Sequence, residues 1–387
     1  MRKHAILSAS AASRWINCTP SARLTEDIED TSSIFAKEGT LAHELGELML
    51  NHALKNIDKR NYNREYKKIQ EHELYAADMT DYVQSYVDHV LERYAEAKSK
   101  TKDALIYLEQ RLDFSGWVPE GFGTGDVVII SDGAIEIIDL KYGKGVEVSA
   151  DHNYQMMLYG LGAYNEYEAF YDLDKVKMTI IQPRLDHIST YELDTDALLD
   201  WADNICRPAA EKAWDGQGDL VAGEHCRFCK VKAGCKARAK VNLDFIDQYE
   251  KDKGFNHPDM LSAEDVSAIL SRTAEIKNWL SDIEEDALAK ALAGSTIPGF
   301  KIVEGRSNRV IVNPDLVAGE LCLVYSEEQV FNKKLKGITD LEKLVGKKNF
   351  SAQYGQYVEK PQGKPTLVPE SDKRPVFDSA SADFNLE

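Results

Sequence analysis

Two aspartates and a lysine carry the most definite chemistry in this sequence. Val127 to Ile130 and Ala134 to Leu140 are apolar, β-branched runs, and the Asp132-Gly133 dipeptide between them is a strong two-residue hairpin signal. The register that this turn imposes sets Asp126 opposite Asp139 in an antiparallel hairpin buried on both faces. Directly opposed residues have Cβ atoms ~4.5–5.5 Å apart, near enough for two carboxylates to share a divalent cation whose charge relieves their repulsion. Lys141, two residues after Asp139, points to the same side of the strand. Oxygen ligands beside an ammonium suit phosphodiester hydrolysis: Mg²⁺ or Mn²⁺ lowers the pKa of a bound water, and the lysine orients the nucleophile or stabilises charge growing on the phosphate. Gln155 and Tyr159 are four residues apart on a helix expected over Asn153 to Glu168, so they share a face and can contact a phosphate or base beside the cation. Alone, D-x-K is a weak signal, and an aspartate at a strand end is commonly a turn residue. The ordered series GTGD, IDLK and QMMLY is far more specific than its parts.

In that order the chain resembles the RecB-type members of the PD-(D/E)XK nuclease superfamily. The matching residues are His43 in GTLAHELGE, Asp126 in GFGTGD, Asp139 and Lys141 in IDLKYG, and Gln155 with Tyr159 in QMMLYG. The resemblance implies an α/β fold with a restriction-endonuclease-like core, a mixed central sheet flanked by helices. It also implies His43, Asp126, Asp139 and the backbone carbonyl of Leu140 as metal ligands, with Lys141 as the catalytic lysine. Glu47, one turn after His43, would orient it or join a second metal site, an ordinary surface polar pair being the alternative; Glu44 and Glu109 have a weaker claim. The implied activity is a Mg²⁺- or Mn²⁺-dependent DNA exonuclease acting on linear DNA with ends. The alternative is a catalytically silent nuclease-fold protein that binds DNA or assists assembly, although a binding module needs neither the acid pair nor its lysine.

Six cysteines in a reducing compartment do not suggest a disulfide framework. Cys226, Cys229 and Cys235 form a compact C-x2-C-x5-C series, and Cys18 is the best fourth ligand. AddB-type helicase-nucleases and CRISPR-associated RecB-like exonucleases include members with one cysteine before the nuclease core and three after it, holding a 4Fe-4S cluster. CTPS and HCRFCKVKAGC reproduce that layout, which implies an iron-sulfur staple between the two ends of the nuclease domain. Tetrahedral zinc, completed by His225 or Cys206, and free thiols remain open. Cys206 and Cys322 otherwise read as ordinary buried thiols.

The elements that must position these groups follow from periodicity. Helical patterns cover Ser10 to Leu24, Phe35 to Leu54 and Glu71 to Lys98, with β-prone runs at Ala104 to Leu112 and Lys177 to Gln182 and a further helix over Leu198 to Trp214. Ser262 to Leu292 reads as a long helix with Ser262 as N-cap and Asp265 at its third position. FKIVEG and RVIVN look strand-like, and no internal repeat is evident. This organisation predicts a nuclease domain over 1–245 with the cysteine cluster, a helical and mixed C-terminal extension over 246–370 and a flexible tail over 371–387.

The 387 residues carry a formal charge of −18, which argues against non-specific coating of nucleic acid or anionic membrane. No apolar run reaches the ~20 residues of a bilayer span and the start lacks the apolar core of a signal peptide, so a cytoplasmic protein is expected. The segments IPGFKIVEGRSNR and VEKPQGKPTLVPESDKRP resemble a phage and prophage family of unknown function over nearly the whole chain. That resemblance implies a role in phage recombination or replication inside a bacterial host. Arg306, Arg309, Lys333, Lys334, Lys336, Lys347 and Lys348 form either a DNA-tracking surface or a solvated basic face. Given the acidic charge, either the groove is locally basic, or a phage single-strand-binding or annealing protein, or a ring-shaped homo-oligomer, supplies affinity for DNA.

Overall fold

The computed structural model describes residues 5–28, 33–253, 261–304, 311–332, 334–359, 368 and 372. The Asp132-Gly133 turn builds the centre of its sheet. Strand β1 (Leu105–Asp113), β2 (Phe122–Ser131), β3 (Ala134–Leu140), β4 (Lys175–Gln182) and β5 (His187–Asp194) lie in that spatial order. Ser131 pairs with Ala134 and Val127 with Ile138, the register expected of a two-residue turn, and Gly133 takes φ 82°, which glycine adopts at no steric cost. Three neighbouring pairs are antiparallel and β3–β4 is parallel, so the chain crosses from β3 to β4 through a helix, as parallel pairing demands.

The alternation of apolar residues along the hairpin feeds two cores. Val128, Ile130, Ile135 and Ile137 face one side, while Val127, Ile129, Ile138 and Leu140 face the other. Short helices α1 (Ala12–Asn17) and α2 (Ser21–Leu24) cover the first side. The second is covered by α3 (Ile34–Ala53), α4 (Lys59–Gln70) and α5 (Met79–Lys100). The crossover helix α6 (Tyr154–Tyr167), then α7 (Thr195–Trp201), a π-turn over Ala202–Cys206 and α8 (Arg207–Asp215), complete the first layer. The result is a five-stranded mixed sheet flanked by helices on both faces.

One acid in the hairpin is structural. Glu136 is buried, and Arg93 grips it through two nitrogens at 2.9 Å with Lys177 at 3.5 Å, which compensates a charge that would otherwise be costly to bury. Gln182 organises the loop between β3 and α6, accepting from the Val148 amide at 2.6 Å and donating to the Val146 carbonyl at 2.9 Å.

Several expectations are corrected. The helix expected over Ser10 to Leu24 breaks after Asn17, because Cys18 leaves helical geometry (φ −139°, ψ 79°) just ahead of Thr19-Pro20. The pattern from Glu71 to Lys98 is not one helix: Glu71 closes α4, the Leu74 amide turns onto His72 Nδ1, and α5 begins only at Met79. FKIVEG forms no strand among its described residues, 300–304, and RVIVN none at 311–313.

The chain divides into two compact units, one comprising Met1–Leu261 with Glu275–Asp286, the other Ser262–Ala274 with Ala287–Glu387. In the first, α9 (Lys236–Lys253) follows the cysteines, and its buried Arg238 pairs with Glu275 at 2.8 Å and Asp282 at 2.6 Å. Those two carboxylates belong to α10 (Ala263–Leu292), which opens with the expected box: Ser262 Oγ accepts from the Asp265 amide and Asp265 returns the bond to the Ser262 amide. The second unit adds α11 (Pro314–Cys322), α12 (Glu327–Val330), α13 (Ile338–Val345) and α14 (Lys347–Tyr354). Cys322 is half-buried rather than buried. Arg306, Arg309, Lys333 and, Asp372 apart, the whole 371–387 tail lie outside the described residues. No helix among the described residues is long and apolar enough to cross a membrane.

Candidate functional site

The site forms at the end of β3, where α3 from one face of the sheet and α6 from the other both reach the hairpin. Ser33 caps α3, accepting from the Ala36 amide, and three turns on His43 Nδ1 lies 3.2 Å from Asp126 Oδ2. The same Asp126 oxygen accepts the Leu140 amide at 2.8 Å, which ties the middle of β2 to the end of β3. Asp139 is only 2% exposed. Lys141 Nζ lies 3.0 Å from its Oδ2 and 3.2 Å from Gln155 Oε1, and the Lys141 amide continues the parallel ladder to Ile181. Gln155 in turn donates to the Tyr159 hydroxyl at 3.1 Å. Asn153, accepting from the Gln155 and Met156 amides, starts α6 at the place that presents this pair.

The acid density shows in the protonation behaviour. Burial alone would lower the His43 pKa, but the hydrogen bond to Asp126 and the charges of Asp126 and Asp139 push it up to about 9. Burial pushes the Asp139 carboxyl upward against the pull of Lys141. Tyr86 on α5 and Tyr159 on α6 are driven far up by burial and by the same carboxylates, so both remain neutral phenols.

Glu109 is the residue that sequence reasoning undervalued. Along β1–β2 the register passes from Leu108↔Val127 to Gln110↔Gly125, so Glu109 stands opposite Asp126 and that pair drops out of the ladder. The cause is its backbone: Glu109 takes φ 48°, a left-handed conformation that a non-glycine residue in mid-strand holds at a cost of ~1–3 kcal/mol. Its carboxylate joins His43 and Asp126 in a trio whose ligand atoms all lie within 4.8 Å of one another. Burial and the Asp126 charge raise its pKa to about 7. A charged residue breaking an otherwise regular strand was the only sequence signal, and it is faint. Asp139 lies outside that trio, held by Lys141 and Gln155. Glu44 and Glu47 line a separate cavity of about 600 Å³ between α3 and α4.

The glycines of GFGTGD have a geometric purpose. A Cβ at Gly123 would lie 2.7 Å from Tyr159 Cε1 and 3.5 Å from Ala9 Cβ, so the Tyr159 ring can settle on β2 only if that position is bare. Gly123→Ala is therefore expected to cost about 1–3 kcal/mol of stability and to displace Tyr159 from Gln155. Thermal unfolding checks this: an unchanged melting temperature would show that the ring has room to move.

Cys18, Cys226 and Cys229 converge from both ends of the first unit. Cys18, at the end of α1, and Cys226 flank His225: hydrogen bonds to the two thiols are the largest cause raising its pKa to about 10, and both cysteines are held below the usual thiol range against the effect of burial. Burial moves the Cys229 pKa upward, and the charges of Cys226 and Cys18 push it the same way. The Cys229 amide bonds the Cys226 carbonyl at 3.1 Å. Protein contacts already tie these ends together: Lys230 Nζ donates to the Ile28 carbonyl at 2.6 Å and Arg23 Nε to that of Trp214 at 2.6 Å. Cys206 is a buried core thiol whose pKa burial raises to about 12, and Cys235 is half-buried at the start of α9.

Fold and site together define a mixed α/β protein with an acid, imidazole and lysine cluster at the end of its central hairpin. The chain belongs to the family described as "Protein of unknown function (DUF2800)", whose model matches residues 4–375. Among solved structures it is similar to one from Eubacterium rectale named "Putative exonuclease", with 13% identity, a TM-score of 0.34 and coverage of 58% of this chain and 86% of that one. It is also similar to SSO0001, with 18% identity, a TM-score of 0.23 and coverage of 58% and 96%.

Proposed function

We propose that this protein is a metal-dependent deoxyribonuclease of the RecB-like PD-(D/E)XK type, an exonuclease serving phage recombination or replication. The observation that carries this reading is one juxtaposition: the Lys141 ammonium between the Asp139 carboxylate and Gln155, beside the trio of His43, Glu109 and Asp126. The donor set fits a Mg²⁺ or Mn²⁺ ion, being rich in carboxylate oxygens that repel one another without a cation. Asp139 Oδ2 fits as well, since it is buried and accepts no well-aligned hydrogen bond. His43, Asp126 and Glu109 would hold the ion, with Asp139 and the Leu140 carbonyl completing the set. Such an ion supplies charge neutralisation at the scissile phosphate and makes the attacking water more acidic.

The chain's own residues do the rest. Asp139 and Gln155 hold Lys141 so that its ammonium faces the charge gathering on the phosphate. Tyr159, neutral and buried, fixes Gln155 in turn. His43 and Asp126 hold each other by a hydrogen bond, and the Leu140 amide locks Asp126 in place.

The cysteines support a second part of the same reading, a structural 4Fe-4S cluster on Cys18, Cys226, Cys229 and Cys235. Cys18 and Cys226 both approach His225, and the charges of both reach Cys229, so thiols from before and after the nuclease core meet in one place. Anaerobically purified protein is expected to be brown and to contain iron and acid-labile sulfide, and Cys229→Ser to lose both. Colourless wild-type protein with stoichiometric zinc would replace the cluster with zinc.

The nuclease reading is tested by incubating end-labelled linear single- and double-stranded DNA with the protein and Mn²⁺ or Mg²⁺, beside Asp139→Ala. Metal-dependent loss of label that disappears in the variant supports it. Metal-dependent binding without cleavage would favour the silent DNA-binding alternative.

A further inference from the structure

The candidate site opens into a groove of about 1250 Å³ that runs from Lys141 and Gln155, past Arg14 on α1, to the cysteine loop at Phe228 and Lys230. Carboxylates along its lining are as numerous as lysine, arginine and histidine together, so a strand lying there meets no strongly positive surface. Contacts to the bases would add affinity that charge does not supply. Phe228 lines the groove with 83% of its surface exposed, in the middle of a tightly held loop. Its backbone is fixed from both sides, since Cys226 and Cys229 are buried and joined by a backbone hydrogen bond. The Arg227 guanidinium lies 5.6 Å from the ring centroid, giving the ring a cationic neighbour. An aromatic face on a rigid loop, in a groove continuous with the lysine and glutamine of the candidate site, supplies the stacking element of sequence-tolerant single-strand binding, with Lys141, Arg14 and Lys230 as its cations.

We propose that Phe228, with Arg227 beside its ring, is a base-stacking platform that seats an unpaired nucleotide of the DNA strand whose phosphate reaches Lys141. The location of that phosphate rests on the nuclease reading; the stacking itself is a property of binding. It makes the cysteine loop a recognition element, and it sets the register of the strand by a base rather than by charge.

The test is fluorescence anisotropy of full-length protein with a labelled single-stranded oligonucleotide, in Ca²⁺ to separate binding from turnover. The same strand is then used with one abasic nucleotide walked along it. Wild type is expected to bind about tenfold more weakly when the abasic nucleotide occupies one particular position. Phe228→Ala should bind the intact strand about that much more weakly and be indifferent to the abasic nucleotide, and Phe228→Trp should restore both affinity and sensitivity. Full rescue by Phe228→Leu would overturn stacking in favour of mere bulk. Unchanged abasic sensitivity in Phe228→Ala would overturn the platform while leaving the nuclease reading standing. Failure of wild type to bind any DNA would overturn the nuclease reading itself, and the platform with it.

Discussion

Lys141→Ala is expected to slow metal-dependent DNA cleavage by roughly 10²–10³-fold, the usual cost of deleting one preorganised donor aimed at charge that develops in the transition state. The expectation follows from how firmly the ammonium is placed, 3.0 Å from Asp139 Oδ2 and 3.2 Å from Gln155 Oε1. The same deletion strands a buried carboxylate. Removing one partner of a fully buried pair costs ~3–5 kcal/mol, and a smaller loss is expected here because the Lys141 side chain is 31% exposed and Asp139 can take up a proton. Mn²⁺ should recover most of that stability without recovering the rate, which separates a catalytic loss from a folding loss. Asp139→Asn gives the complementary result, an equally large loss of rate with a milder loss of stability, because Lys141 can turn toward water. Initial rates on end-labelled DNA, measured beside melting curves with and without Mn²⁺, decide the matter: wild-type turnover in Lys141→Ala would remove Lys141 from the chemistry.

The hairpin was legible in the sequence because two independent signals agree on it. Asp132-Gly133 sets the register, and the β-branched run on each strand satisfies two cores at once, so a slip by one residue would move Asp139 and Lys141 to the opposite face. Strand β5 was not legible, since its pattern runs partly against burial: Ile188 is exposed while His187 and Ser189 are half-buried. Ser189 instead earns its place through a hydrogen bond to the Ala150 amide, a contact 39 residues away that no local pattern encodes. Helix α4 carries Tyr62, Tyr66 and Ile69 at helical spacing, but lysine and arginine around them hide the stripe. The series from His43 to Tyr159 could be ordered from sequence because motif order survives without geometry. What sequence could not show is that Asp139 turns to Lys141 while Glu109 turns to His43 and Asp126, since that depends on one backbone angle in β1.

Glu109 carries the second large expectation, a trade of metal affinity against stability. Glu109→Gln removes one carboxylate from a crowded trio, and Mn²⁺ affinity should fall at least ~10-fold, as loss of a ligand or its immediate support commonly costs. The metal-free variant should melt higher than metal-free wild type, because the burial of a carboxylate and its repulsion from Asp126, which together raise the Glu109 pKa to about 7, are gone. Glu109→Gly tests the backbone separately. Glycine accepts φ 48° without the left-handed penalty of ~1–2 kcal/mol, offset by ~0.5–1 kcal/mol for its freer unfolded chain, so it should match or exceed Glu109→Gln in the absence of metal. Adding Mn²⁺ should reverse the order, since a ligand that binds only the folded state stabilises most where it binds most tightly. Calorimetric titration with Mn²⁺ and melting curves across Mn²⁺ concentration read both halves. If both variants bind Mn²⁺ as wild type does, Glu109 is not a ligand and the strain in β1 has another cause; if affinity falls and the metal-free protein also loses stability, the strained conformation is supported by contacts beyond the acid trio.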